Sequence, residues 1–165
     1  MKVVIAPDSF KESMSAKEVC DCAERGILSI FPEWEIVKVP MADGGEGTLE
    51  SLIDATNGKI YNEETLNPIG EKIISRYGIL GDKNIAIIEM ASTSGIELIP
   101  KEKRNPYITT TYGTGQLMLK ALDHDVERII LGIGGSATTD GGSGMLQALG
   151  AKLMDENGRE IGFGG

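Results

Sequence analysis

The chain opens on a β-branched run, KVVIA at residues 2–6, and reaches a second, EIVKV at residues 35–39, through a polar loop and a helix-patterned stretch. Between them Ser15-Ala16-Lys17-Glu18 fits a capping box. Val19, Cys20, Ala23, Ile27 and Ile30 then recur at helical spacing until Pro32 ends the pattern. Continuous apolar runs joined by a helix read as parallel strands, because a parallel pair needs a crossover connection and buries both faces. Strand–loop–helix–strand therefore predicts an α/β sheet, whose ligands bind where strands run out into loops at their carboxyl ends.

Those loops are where the composition is unusual. Glycine supplies 22 of 165 residues, about 13% against a usual ~7%, and the excess is clustered into shaped loops. Residues 42–48, ADGGEGT, follow the second strand. Residues 131–145, LGIGGSATTDGGSGM, follow the strand-like RIIL at 128–131 and hold six glycines around one acid, Asp140. Both contain Asp-Gly-Gly-x-Gly. A third loop, TTTYGTG at 109–115, leads into a helix through Leu122.

The remaining pattern predicts a helix over 49–55 ended by Asn57-Gly58, and strands over 72–80 and 84–90 joined as a hairpin at Gly81-Asp82-Lys83. A helix over 144–149 closes at Gly150, and a further hairpin over 152–161 carries Asn157-Gly158 at its tip. A change of texture at Asn67-Pro68-Ile69-Gly70 places a domain boundary there, dividing the chain into residues 1–66 and 67–165. The sequence stops at GFGG, a glycine-rich loop with no closing element. That predicts a fragment of a longer protein, with an open sheet edge that favours homo-oligomers.

Several function classes are excluded. With 16 basic against 25 acidic side chains and a net charge of -9, the chain lacks the Lys/Arg excess that binds nucleic acid. The N-terminal apolar run is too short for a signal peptide, and no apolar run approaches the ~20 residues of a membrane span, so a cytoplasmic protein is expected. Cys20 and Cys22, two apart on a helix, suit neither a disulfide nor shared metal ligation and read as reduced packing residues. The only histidine, His124, lies between two acids and reads as solvated, which argues against a Ser-His-Asp triad and excludes a His-rich zinc site. There is no G-x-S-x-G elbow and no P-loop.

What remains is chemistry built from glycine, hydroxyls and acids. Glycines let backbone N–H groups approach an anion, and Ser136, Thr138, Thr139 and Ser143 add donors beside Asp140. A carboxylate there either works with a bridging cation, accepts a hydroxyl proton, or simply caps a helix. Asp8-Ser9-Phe10-Lys11 follows the first strand, with Lys11 a candidate point charge for an anion. Asp43 and Glu46 are spaced for a metal or substrate site, and Glu46 equally suits a cap on the helix that follows. As an alternative, Gly132-x-Gly134-x-x-Ala137 after a strand, with Asp155 18 residues on, loosely fits a nicotinamide-dependent oxidoreductase. A non-catalytic fragment is the third reading.

APDSFKES at 6–13, VPMADGGEGT at 39–48, TTTYGTGQL at 109–117 and GIGGSATTDGGSGMLQALG at 132–150 closely resemble the bacterial glycerate kinase family, in the family's order. The resemblance implies phosphorylation of D-glycerate by ATP and Mg²⁺, commonly to 2-phosphoglycerate. It also implies two α/β domains, the second inserted into the first, with the site in the cleft between them and the first domain incomplete here. It implicates Asp8, Ser9 and Lys11; Asp43 with Gly44 and Gly45; Thr111, Gly113 and Thr114; and Gly134, Gly135, Ser136 and Asp140. Asp8, Lys11, Asp43 and Asp140 are the candidate catalytic groups, with Asp140 or Asp43 as Mg²⁺ ligand. Glu12 stands where the family usually has glycine and Thr139 where it usually has asparagine. Family members are more than twice as long, so the isolated segment is expected to be weak or inactive.

Overall fold

The computed structural model of the chain describes residues 1–10, 13–81 and 84–165. Lys11, Glu12 and the Asp82-Lys83 hairpin tip lie outside the described residues. Among the described residues the fold is mixed α/β with two sheets. Strands β1 (Lys2–Ile5) and β2 (Glu35–Lys38) pair in parallel, and the crossover is helix α1 (Ala16–Ile30). Ser15 caps α1 in the expected capping box: its hydroxyl accepts from Glu18 N while Ser15 N donates to the Glu18 carboxylate. Against expectation, β1 is not fully buried. Val4 is 58% exposed, and the helix packed on this small sheet among the described residues is α1. Cys20 packs as expected, whereas Cys22 is exposed.

Helix α2 (Thr48–Thr56) leads, through Asn57 in the left-handed conformation, into a second sheet of order β3-β4-β5-β6. Its strands are β3 (Lys59–Leu66), β4 (Lys72–Ile79), β5 (Ile85–Glu89) and β6 (Arg128–Gly132), antiparallel except for the parallel β5/β6 pair. The texture change at 67–70 is the turn of the β3/β4 hairpin, so the change of sheet falls earlier, at residues 57–58.

β5 organises the core. Every residue of this IAIIE strand is buried, and alternate side chains serve opposite faces. Ile85 and Ile87 pack with Leu49, Ile53 and Leu80 under α2. Ala86 and Ile88 pack with Tyr77, Leu117 and Ala121 under helix α4 (Tyr112–Leu122). A short helix α3 (Ala91–Ser94) follows β5, and α5 (Ser143–Ala148) packs against α4. The expected hairpin over 152–161 is reduced to one bridge, Met154 to Glu160, with Gly158 in the left-handed region. Exposed His124 lies tilted against Tyr61, ring centroids 4.4 Å apart. No helix among the described residues is long and apolar enough to cross a membrane.

Candidate active site

The two Asp-Gly-Gly loops, far apart in sequence, touch. Residues 39–47 leave β2 and enter α2; residues 133–142 leave β6 and enter α5. Their backbones pack directly, with Gly134 N donating to the Gly44 carbonyl at 3.3 Å. A Cβ on Gly134 would stand 2.9 Å from Gly45 Cα, a spacing that real Cβ atoms essentially never show, so the approach requires glycine. The Thr48 hydroxyl closes the first turn internally, donating to Gly45 O at 2.8 Å and accepting from Gly44 N at 3.1 Å.

A cleft of about 360 Å³ opens over this seam. Asp8 and Ser9 reach it from the end of β1, Asp43 and Gly45 from one glycine turn, and Gly134 and Gly135 from the other. Asp8 accepts from Ser9 N at 2.6 Å and Asp43 from Gly45 N at 2.9 Å, so each carboxylate is oriented by its own loop while staying exposed. Glu46, Glu89 and Glu97 add further acid to the lining. Arg76 is the cation that lines it among the described residues, and its guanidinium is already paired with Glu50. Walls of this sign repel an anionic ligand unless a cation accompanies it. No three acids among the described residues converge into a metal cage. Mg²⁺ is commonly held by one or two carboxylates plus substrate phosphates, and the cleft lining includes two exposed aspartates, Asp8 and Asp43.

Asp140 has a different environment. Its Oδ2 accepts from Thr111 N and Thr111 Oγ1, both at 2.8 Å, and from Gly144 N at 3.1 Å; its Oδ1 accepts from Gly142 N at 3.0 Å. Thr111 Oγ1 in turn accepts from Met145 N at 2.9 Å. One carboxylate thus caps the starts of α4 and α5 together, satisfying N–H groups that no intrahelical carbonyl reaches. Asp140 is not among the residues lining the cleft.

Thr111, Gly113 and Thr114 are buried in the same scaffold. Thr114 Oγ1 lies 2.8 Å from Thr93 Oγ1 and 2.9 Å from Ser94 Oγ, a hydroxyl cluster joining α3 to α4. Gly113 is packed so closely that a Cβ would run into the Leu66 carbonyl. Ser136 is exposed on the glycine-rich loop, bonded locally to Thr138. Of the candidate residues, the structure therefore gathers Asp8, Ser9, Asp43, Gly45, Gly134 and Gly135 at the cleft, with Gly44 immediately behind it. It keeps Thr111, Gly113, Thr114 and Asp140 in the supporting layer.

The model of the glycerate kinase family matches residues 3–165. The chain belongs to the glycerate kinase family. It is 57% identical to glycerate kinase of Bacillus subtilis and 58% identical to glycerate 2-kinase of Escherichia coli, in each case over 100% of this chain and 43% of the relative. A crystal structure assigned to glycerate kinase 2 of Salmonella typhimurium LT2 superposes with a TM-score of 0.86 at 52% identity, covering 99% of this chain and 44% of that one. The chain thus spans under half the length of the curated relatives it matches.

Within this family member the oxidoreductase alternative has no support. A dinucleotide fingerprint opens a helix at once, whereas the loop after Gly132 runs to Gly142 before α5 begins, and Ala137 is tied by its N–H to Ser94 O at 2.9 Å. Asp155, the would-be ribose ligand, accepts from Asn157 N and Arg159 N in an exposed turn. Thr139 donates to Pro106 O at 3.2 Å and pins the neighbouring loop. Sequence reasoning missed Arg76, Glu89 and Ser92 at the cleft. For Glu89 a signal existed: an acid ending an otherwise apolar strand, at the end where α/β proteins bind ligands.

Proposed function

We propose that this chain carries one wall of a site that phosphorylates D-glycerate at the expense of ATP, giving 2-phosphoglycerate. The observation that carries the reading is the convergence of Asp8, Ser9, Asp43 and the Gly45 and Gly134 turns on one cleft in a glycerate kinase family member. The 58% identity to a glycerate 2-kinase supports the choice of hydroxyl. In the reaction the glycerate hydroxyl oxygen forms a bond to the γ-phosphorus and the bond from that phosphorus to ADP breaks. The hydroxyl proton passes to a carboxylate.

Asp8 and Asp43 divide the tasks of accepting that proton and holding Mg²⁺. When bound, Mg²⁺ neutralises phosphate charge that the acidic cleft would otherwise repel. Backbone N–H groups of the glycine turns supply fixed donors to phosphate oxygens. Asp140 and Thr111 hold α4 and α5 so that the turn at 134–135 stays in place. The β1/β2 part and the β3–β6 part of the chain are portions of two domains, one inserted in the other, and the length beyond this chain in the relatives completes the cleft.

The test is calorimetric binding of D-glycerate and of Mg·ATP to the chain, beside a ³¹P assay of turnover run in parallel with the Bacillus subtilis relative. Binding with turnover at least a hundredfold below the relative is expected. Turnover equal to the relative contradicts the incomplete-cleft reading, and absence of binding by either ligand contradicts the cleft assignment.

A further inference from the structure

Glu89 ends β5 with only 3% of its surface exposed, and a carboxylate is rarely buried so deeply without a dedicated partner. Its partner lies 40 residues away in sequence: Oε1 accepts from Leu49 N at 2.8 Å, in the first turn of α2. That turn needs an outside acceptor. The first N–H groups of a helix have no intrahelical carbonyl, and the α2 N-cap is Gly47, which makes no side-chain cap bond. A carboxylate at this end also suits the helix dipole. The Glu89 backbone meanwhile pairs with Gly132, and the following residue, Met90, donates to Gly132 O at 2.8 Å. One residue therefore holds the first turn of α2, which directly follows the turn at 43–47, by its side chain, and pairs with Gly132, where the second glycine loop begins, by its backbone. It lines the same cleft as Asp43.

We propose that Glu89 is a positioning residue: by accepting the Leu49 N–H it fixes residues 43–47, and with them the Asp43 carboxylate, against the Gly134–Gly135 side of the cleft. The functional part rests on the phosphoryl-transfer reading of that cleft, whereas the remote cap on α2 is measurable without turnover. What the cap needs is an acceptor oxygen of the right reach, which glutamine keeps and alanine removes.

The experiment is amide hydrogen exchange by NMR on the 165-residue chain, native, Glu89→Ala and Glu89→Gln, each also titrated with D-glycerate. Glu89→Ala should speed exchange at Leu49 and at residues 44–47 tenfold or more, leave Leu117 and Ala121 in α4 within twofold, and abolish the glycerate-induced shift of the Asp43 amide. Glu89→Gln should restore protection to within threefold and restore that shift. Native-like protection in Glu89→Ala overturns the proposal, as does equal acceleration of α2 and α4, or a Glu89→Gln protein that behaves like Glu89→Ala. Should Glu89→Ala not fold, the Leu49 amide proton decides: it moves upfield in Glu89→Gln if the native bond to the carboxylate exists, and an unchanged shift overturns the proposal. A native chain whose Asp43 amide ignores glycerate counts against the kinase reading alone, and the exchange pattern still decides the role of Glu89.

Discussion

The two Asp-Gly-Gly-x-Gly loops share a motif and differ in what surrounds their acids. Asp43 is exposed at the cleft and, among the described residues, takes one hydrogen bond, from its own turn. Asp140 is half-buried behind the cleft and takes four, two of them from Thr111 on another loop. A carboxylate whose lone pairs are filled by backbone donors is committed to holding those donors in place. One with open lone pairs can take a proton or a cation. The same short motif therefore builds a reactive wall in one place and a scaffold in the other, and glycine lets both backbones meet at Gly44 and Gly134.

Substitutions should separate the two regions. The largest effect is expected from Asp43→Asn, which should lower phosphoryl transfer to D-glycerate by about a hundredfold or more while leaving the melting temperature within about 1–2 °C, as expected of an exposed side chain. Kinetics and a thermal melt on one preparation check both halves. Asp140→Ala should act the other way. Losing at least two charge-assisted hydrogen bonds to helix starts costs on the order of 2–4 kcal/mol, which at this chain length lowers the melting temperature by about 5–15 °C. A denaturant titration reads it directly.

Where the loops meet, Gly134→Ala forces a Cβ to 2.9 Å from Gly45 Cα. Overpacking of this kind costs about 1–3 kcal/mol, and calorimetry should find that loss together with weakened ligand binding. The smallest effect concerns pH. Burial pushes the Glu89 carboxyl above its ordinary value, helped by Glu50 on α2 and opposed by the Leu49 N–H and Arg76 on β4. The folded protein then holds this proton more tightly than the unfolded chain. Its contribution to stability is full below the ordinary carboxylate value of ~4.3 and is lost as pH rises through the raised one. Glu89→Gln should flatten the fall in unfolding free energy just above that value, measured by denaturation across mildly acidic pH.

How much of this the sequence displayed depends on the element. The IAIIE run read as a strand, though not as one buried on both faces, and the capping box at Ser15 marked the start of α1. β3 escaped notice because its partly covered side carries Glu63 between Tyr61 and Thr65. That acid is tolerated there beside Lys120, with Nζ 3.7 Å from its carboxylate, so the alternation does not read as apolar. The glycine loops and the acids at the cleft were visible as residue types. The separate fates of Asp43 and Asp140 were not, since they depend on which distant loop supplies Thr111. Glu89 was visible as an acid ending an apolar strand, but its role was hidden for the same reason: its meaning lies in Leu49, which only the packing of α2 on β5 brings near.

The most direct test of this division is an amide NMR titration of the 165-residue chain with D-glycerate and Mg·ATP. Shifts concentrated at Asp8, Ser9, Asp43, Gly45, Gly134 and Gly135, with Thr111, Asp140, Gly142 and Gly144 unmoved, are the predicted result. Shifts centred on Thr111 and Asp140 with a silent cleft would contradict it.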